Sequence, residues 1–453
     1  MCLRRFSTWS SAIRNTASST SPSNAVHLFT QMLRQPLPAD SFSLLYTLKS
    51  SAGIKHYGLI SSLHSHVTKT GFCSHLYVAT ALLNAYAVTR LGAARQLFDE
   101  MPERNTVTWN VMISGYARAG DLVQARLVFD RMPEKGVASW AALISGCINH
   151  GQLEQGLGLC RQMMMVGNGG VRGGGGIIPD HFVLVSVLAG CSRIGSVGLL
   201  AGKSVHAFVT KSGLKLGVEL GSAMVDMYAK CGVVDSATKV AGRMTEWNVT
   251  TWTLLICGLA QNGHGQEAVS LFKMIDQKQE QEKEDGTGSV PIRPNEMTFT
   301  AVLSACAQAG LVQEGQKYFN LLKNSAMEVK IQHYGCMVDL YGKAGRLDDA
   351  YQIINEMELP PNNVVWGSFL AACKVHKQLE TAERVIEQVL ATVKPEEDGG
   401  VYSLICDLYT MLEKWDDAER IRSLMVNRKV KKARGSSFIF GPLPALCLRS
   451  EGL

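Results

Sequence analysis

The stretch "MISGYARAGDLVQARLVFDRMPE", Met112 to Glu134, decides the fold, because altered copies of it return along the chain. They reappear as "MVDMYAKCGVVDSATKVAGRM" from Met224 and as "MVDLYGKAGRLDDAYQIINEM" from Met337. Around the first copy, apolar residues recur every three or four positions. Val111, Ile113, Tyr116 and Ala117 form one stripe, and Leu122, Ala125, Leu127, Val128, Phe129 and Met132 form another. That spacing predicts two helices. The Ala-Gly pair between them reads as a helix stop, with Gly120 supplying a left-handed cap. One such hairpin cannot bury both apolar faces, whereas stacked copies can.

The glycine that closes the first helix of each copy falls at Gly120, Gly151, Gly195, Gly232, Gly263, Gly310 and Gly345. The intervals are 31 residues twice, 35 and 37 once each, and 44 and 47 at the two odd places. Each odd interval holds low-complexity sequence: "GNGGVRGGGG" at 167–176 and "DQKQEQEKEDGTGS" at 276–289. Without these inserts the unit returns to ~35 residues. The inserts read as flexible surface excursions between neighbouring hairpins. The expected architecture is an all-α solenoid with a long concave groove suited to an extended partner.

Bulk properties narrow the function classes. The chain has 453 residues, 46% of them apolar, and a formal charge of +6, a mild basic lean compatible with a nucleic-acid partner. Its 12 cysteines are scattered, with no Cys-x-x-Cys, so zinc ribbons, fingers and redox pairs are excluded. Such cysteines read as small buried apolar groups. No apolar run approaches the ~20 residues of a membrane span, so a soluble chain without a membrane partner is expected. The N-terminal stretch "MCLRRFSTWSSAIRNTASSTSPSN" has the Ser/Arg-rich composition of an organelle transit peptide, and the first acidic residue is Asp40. Trp9, Ala25, Phe29 and Met32 nevertheless stand where a first hairpin needs them, so the stretch reads as that hairpin. Residues 1–5 are left as a short lead, the remnant of a targeting signal.

The segments "TVTWNVMISGYARAGDLVQARLVFDRMPE", "VELGSAMVDMYAKCG", "HYGCMVDLYGKAGRLDDA" and "VVWGSFLAACKVH" resemble pentatricopeptide repeats of the plant PLS subclass. The Trp-Leu-Gly-Tyr core of tetratricopeptide repeats is missing. The resemblance implies a right-handed superhelical solenoid and a layout of about ten units over 6–362. P-type units span 6–40, 137–180 and 249–295. L-type units span 41–75, 181–217 and 296–330. S-type units span 76–105, 106–136, 218–248 and 331–362. Residues 363–432 resemble the E-type extension, and 433–453 form an atypical tail. Members act mostly in mitochondria or plastids, so an organelle is expected, the mitochondrion ahead of the plastid.

The resemblance also implies single-stranded organellar RNA as partner, with one base facing each P or S unit. The fifth residue of the unit and its last residue read the base, and the second residue, such as Val107 or Thr250, sandwiches it. Short polar side chains can bond the Watson-Crick edge of an unpaired base, and Asn differs from Asp by offering donors. Ser10 with Asp40 resembles a G reader. Thr80 with Asn105, Ser222 with Asn248 and Thr253 with Asn295 resemble A readers. Asn110 is a pyrimidine-type fifth residue facing an atypical Gly136. Asp180 is paired with Ala141, Asn362 with Gly335, and Thr300 with Lys330 in an L-type unit. Leu45 and Val185 offer no polar reading group.

Other features are weaker. Trp109, Trp140, Trp252 and Trp366 share one place in their units and read as inter-helix core rather than a stacking platform. "GLLAGKS" at 198–204 fails as a phosphate loop, because Val197 stands where its first Gly belongs. The run 420–434 carries seven basic residues and no acidic one, and either touches phosphates or is a solvated helix end. Zinc-dependent cytidine deamination needs His-x-Glu and Pro-Cys-x-x-Cys, and neither occurs. No catalysis and no cofactor are therefore expected. Relatives with E-type ends act as site-recognition factors for C-to-U editing of organelle transcripts, so residues 363–432 would dock a DYW-type deaminase or other editing proteins. RNA processing, splicing or stabilisation, and a peptide-binding scaffold, are the competing readings.

Overall fold

The computed structural model of the chain describes residues 2–17, 22–35, 38–165, 177–285, 293–394 and 399–428, with residues 2–8 and 276–285 entering as backbone. The chain forms two compact units that meet in sequence at Gly190 and Cys191. The described residues are helical throughout, apart from turns and two short 3₁₀ segments, Phe72–Ser74 and Gly195–Gly198.

In the first unit, α1 (Cys2–Ala17) pairs with α2 (Pro22–Arg34), α3 (Ser41–Ile54) with α4 (Tyr57–Lys69), and α5 (Leu76–Thr89) with α6 (Leu91–Glu100). Next come α7 (Thr106–Arg118) with α8 (Leu122–Arg131) and α9 (Val137–Asn149) with α10 (Leu153–Met165). Helix α11 (His181–Arg193) carries the junction between the units. In the second unit, α12 (Leu199–Lys211) precedes α13 (Val218–Lys230) and α14 (Val234–Arg243). Then follow α15 (Val249–Gln261) and α16 (Gly265–Asp285), α17 (Glu296–Ala309) and α18 (Val312–Lys323), and α19 (Ile331–Lys343) and α20 (Leu347–Asn355). The last pairs are α21 (Asn363–Val375) with α22 (Leu379–Thr392) and α23 (Gly399–Met411) with α24 (Trp415–Asn427).

Seven hairpins turn where the glycine period expects it. The seven glycines of the repeat all have positive φ, between 62° and 84°, a region costly for a residue with a Cβ. In the hairpins α21/α22 and α23/α24 the turn is made by Lys377 (φ 54°) and Glu413 (φ 59°) instead. Within each unit the first helices of successive hairpins pack on one another: α3 on α5, α5 on α7 and α7 on α9 in the first, and α13 through α23 in the second. Small residues set that approach. A Cβ added at Gly146 would stand 2.6 Å from the Ala117 Cβ, and one at Gly258 2.4 Å from the Ala229 Cβ.

Between hairpins the core is a repeated aromatic contact. The fourth residue of a first helix meets an aromatic from the end of the preceding hairpin. The ring centroids lie 5.0 Å apart for Phe98 and Trp109, 4.7 Å for Phe129 and Trp140, and 4.4 Å for Trp247 and Trp252. Trp140, Trp252 and Trp366 are buried, so these residues are core, as expected, and each edge-on pair adds about 1 kcal/mol beyond area burial. Side chains also tie hairpins together through polar links. His64 Nδ1 lies 3.0 Å from the Tyr86 hydroxyl, and His206 Nδ1 lies 2.8 Å from that of Tyr228. Asn262 Nδ2 donates to the Ala229 carbonyl at 2.9 Å, beside the Gly232 N–H that this carbonyl also accepts at 3.1 Å.

Two expectations about segments change. The lead 1–5 is not separate from the first hairpin: α1 begins at Cys2, while Ala25, Phe29 and Met32 are buried as the hairpin requires. The acidic insert is not a loose excursion through its first part. Helix α16 runs on to Asp285, because the Gln, Glu and Lys residues of 276–285 are strong helix formers that extend a helix already nucleated. Residues 286–289, the glycine run 167–176, the basic run beyond Arg428 and the tail 433–453 lie outside the described residues.

Candidate functional site

The last residue of each unit is the N-cap of the next first helix. Six of these caps work through a side-chain oxygen. The Oδ1 atoms of Asp40, Asn105, Asp180, Asn248, Asn295 and Asn362 each accept the N–H of the residue three positions on, at 2.8, 3.0, 3.0, 2.8, 2.9 and 3.1 Å. An N–H donor demands an acceptor, so the carboxamide orientation follows from the cap. With Oδ1 turned to the helix, each Asn keeps its Nδ2 donors out of the cap bond, and each Asp its second carboxylate oxygen. Asn248, Asn295 and Asp180 are exposed, and Asp40, Asn105 and Asn362 are half-buried. Gly136 and Gly217 cap without a side chain. Lys330 reaches the Glu296 carboxylate, and this hydrogen bond holds its ammonium above the usual lysine range.

The fifth residues lie beside these caps. Ser10 Oγ donates to Asp40 Oδ2 at 2.9 Å, joining the two halves of that pair directly. Ser222 and Thr253 are more covered than a reading role suggests, at 6% and 8% exposure. Their hydroxyls are buried against the third residue of the following unit, with Ser222 Oγ 2.7 Å from Thr251 Oγ1 and Thr253 Oγ1 2.8 Å from Thr298 Oγ1. Thr80 is half-buried and donates to the Leu76 carbonyl of its own helix at 2.7 Å, and Thr300 likewise to Glu296 at 3.0 Å. Asn110 keeps a buried Oδ1 with no hydrogen-bond partner. Ala141 is buried, so Asp180 has no polar neighbour at the fifth place.

The second residue of the first helix is an exposed apolar position in many units. Phe42 is 62% exposed, Tyr77 69%, Val107 55% and Phe182 54% in the first unit, and Met297 63% and Val364 62% in the second. Large apolar groups held in water at one place per repeat form a series of rungs beside the capped residues. Thr250 is exposed at the same place.

Sequence reasoning missed the third residues, Ser43, Thr108, Thr251 and Thr298. All four are buried. Their signal was present as Asn/Asp-x-x-Ser/Thr in "DSFS", "NTVT", "NVTT" and "NEMT", a variant of the capping-box pattern. Four of the thiols are inert by environment: burial pushes Cys191, Cys306, Cys336 and Cys373 up to about 12. Among the described residues, no group of three or more His, Cys, Asp or Glu is placed to hold a metal ion, and no helix is long and apolar enough to cross a membrane. Gly198 to Ser204 lie in a 3₁₀ turn and the start of α12 and follow no strand. Arg420 and Arg422 lie beside acidic neighbours, Asp417 at 3.4 Å and Glu419 at 3.6 Å.

Residues 107–137, 138–168, 250–279, 297–325 and 333–359 match the PPR repeat, and residues 376–440 match the E motif. The pentatricopeptide repeat-containing protein At1g33350 of Arabidopsis thaliana is 37% identical over 421 residues, covering 92% of this chain and 74% of that protein. The mitochondrial pentatricopeptide repeat-containing protein At3g26782 of the same plant is 32% identical over 447 residues, covering 96% of this chain and 59% of the relative. Among solved structures, the maize pentatricopeptide repeat protein PPR10 in complex with an 18-nt psaJ RNA element is similar at 16% identity and a TM-score of 0.47, covering 94% of this chain and 75% of that one. The chain is a member of the pentatricopeptide repeat family, with PPR repeats followed by an E motif.

Proposed function

We infer that the chain binds single-stranded RNA along its first helices and acts as a site-recognition factor for C-to-U editing in an organelle, with the deaminase supplied in trans. The observation that carries this reading is the series of last residues that cap through Oδ1 and keep a second polar atom out of the cap bond, most of them two positions before an exposed apolar rung. Adenine presents an acceptor at N1 and a donor at its amino group, and guanine presents two neighbouring donors at N1 and N2. The outward Nδ2 of Asn248 or Asn295 suits adenine N1. The Ser10 hydroxyl, with its proton committed to Asp40, suits guanine together with the remaining lone pairs of the carboxylate. A peptide groove has no use for this repetition. The editing role rests on the E motif and on the resemblance to E-type members, and the organelle on the mitochondrial relative and the N-terminal composition. Recruiting an enzyme to a bound site raises its effective concentration without new chemistry in this chain.

The test is binding to a single-stranded RNA with A facing Thr80/Asn105, Ser222/Asn248 and Thr253/Asn295 and G facing Ser10/Asp40. Binding should weaken as salt rises and should exceed that of an RNA with these A and G bases exchanged. Equal binding of both RNAs, or none above a non-specific level, overturns the reading.

A further inference from the structure

The hydroxyls of Thr251 and Thr298 stand between the two halves of a reading pair. Thr298 Oγ1 donates to Asn295 Oδ1 at 2.9 Å and lies 2.8 Å from Thr253 Oγ1, while the Asn295 N–H reaches it at 3.2 Å. Thr251 Oγ1 donates to Asn248 Oδ1 at 3.0 Å and lies 2.7 Å from Ser222 Oγ. A hydroxyl has one proton and two lone pairs. Both contacts of each threonine are filled together only when the fifth residue donates to the threonine and the threonine donates to the asparagine. At Thr298 the asparagine N–H then takes the second lone pair.

We propose that Thr251 and Thr298 are positioning residues that set the hydrogen-bonding sense of these two pairs, making each a reader of bases that set an amino donor beside a ring-nitrogen acceptor, as adenine does and guanine does not. The proposal rests on the RNA-binding reading above and deepens it. Two consequences follow from the proton count. Asn Oδ1 receives both an N–H and an O–H donor, so a flipped carboxamide would set its amide hydrogens against two donors. The donor Nδ2 is thereby locked outward. The proton of Ser222 or Thr253 is turned inward, so any group that reaches its oxygen meets a lone pair. For Thr253 this holds even when its proton goes to the Val249 carbonyl, 2.8 Å away. Acceptor beside donor complements the amino and ring nitrogens of adenine and opposes guanine. At Thr80/Asn105 the relay is missing. The Thr108 hydroxyl donates to the Asn105 main-chain carbonyl at 2.7 Å, and Asn105 Oδ1 receives the N–H of Thr108.

The test measures binding of full-length protein to labelled single-stranded RNAs that carry A or G at one chosen position. Thr298→Val removes the hydroxyl and keeps the branched shape, and Thr298→Ser keeps the hydroxyl. The A-over-G ratio at the base facing Thr253/Asn295 should fall about tenfold in Thr298→Val and return in Thr298→Ser. Thr108→Val should leave the ratio at Thr80/Asn105 within about twofold. Thr251→Val repeats the measurement at the other relay if Thr298→Val does not fold. A wild-type ratio retained in Thr298→Val, or a ratio that Thr298→Ser does not restore, overturns the relay while the RNA reading stands. A wild-type protein that binds RNA without any A-over-G preference overturns the reading and the relay together.

Discussion

Thr80/Asn105 and Thr253/Asn295 are the same pair of residue types, each followed by a threonine three positions on, yet they are held differently. In the second unit the threonines form a chain from Thr253 through Thr298 to Asn295. In the first unit both hydroxyls turn to main-chain carbonyls, at Leu76 and Asn105. The rungs differ in the opposite sense. The first unit exposes Phe42, Tyr77 and Phe182, and the second exposes Met297 and Val364. The contrast separates two properties that a repeat array usually combines. On the RNA-binding reading proposed above, aromatic rungs would supply sequence-tolerant affinity and locked carboxamides base preference. The first unit would then be built more for holding, and the second more for discrimination.

The largest expected effect concerns the rungs. Tyr77→Ala should lower affinity for every RNA by about 1–3 kcal/mol, the usual worth of one base stacked on an aromatic ring, with base preference unchanged. Met297→Ala should cost less, because a thioether side chain offers no ring to stack on. Titrations against matched and exchanged RNAs would show both, and an equal loss at the two rungs would break the contrast.

A smaller effect concerns the caps. Asn105→Ala should destabilise the protein by about 1 kcal/mol through loss of one cap, read by urea unfolding. Asn295→Ala should cost more, because it also leaves the buried Thr298 hydroxyl without its acceptor. Equal losses would show that the relay adds nothing to stability.

The smallest effect concerns acid, and here the two units should agree. His64 ties α4 to α5, which carries Thr80, and His206 ties α12 to α13, which carries Ser222. Burial holds both imidazoles below the usual histidine range. A nearby Glu100 opposes this at His64, and Arg243 adds to it at His206. A folded-state value below the unfolded one means that the unfolded chain binds the proton more readily. Stability should therefore fall as pH drops below about 6.5 and hold above it. Thermal melts between pH 7.5 and 5.5 would show the fall, and the double variant His64→Gln with His206→Gln should flatten it.

The fold was legible because its punctuation is chemical. Gly120, Gly232 and Gly345 mark turns that a residue with a Cβ adopts at a cost, so their spacing carried the period. The same turn in the last two hairpins is made by Lys377 and Glu413, and the glycine period falls silent there. The helical run to Asp285 was missed because low complexity and charge read as loop, while Gln, Glu and Lys favour a helix. Within the candidate site, the last residues were found by their types, but their cap role was not, although Asn-x-x-Thr stands in the sequence at 105, 248 and 295. Why Thr108 and Thr298 turn their hydroxyls to different acceptors cannot be read from residue types, since both follow an asparagine at the same distance. That difference lives in tertiary geometry.

The most direct measurement crosses one protein change with one RNA change. Wild-type protein and Asn295→Asp would each be titrated with RNAs carrying A or G at the base facing Thr253/Asn295. Aspartate keeps the cap through one oxygen and turns an acceptor outward in place of a donor. The account predicts that wild type prefers A, that Asn295→Asp prefers G, and that the crossed term amounts to about 1–3 kcal/mol. A crossed term of zero, with both proteins ranking the two RNAs alike, would contradict it.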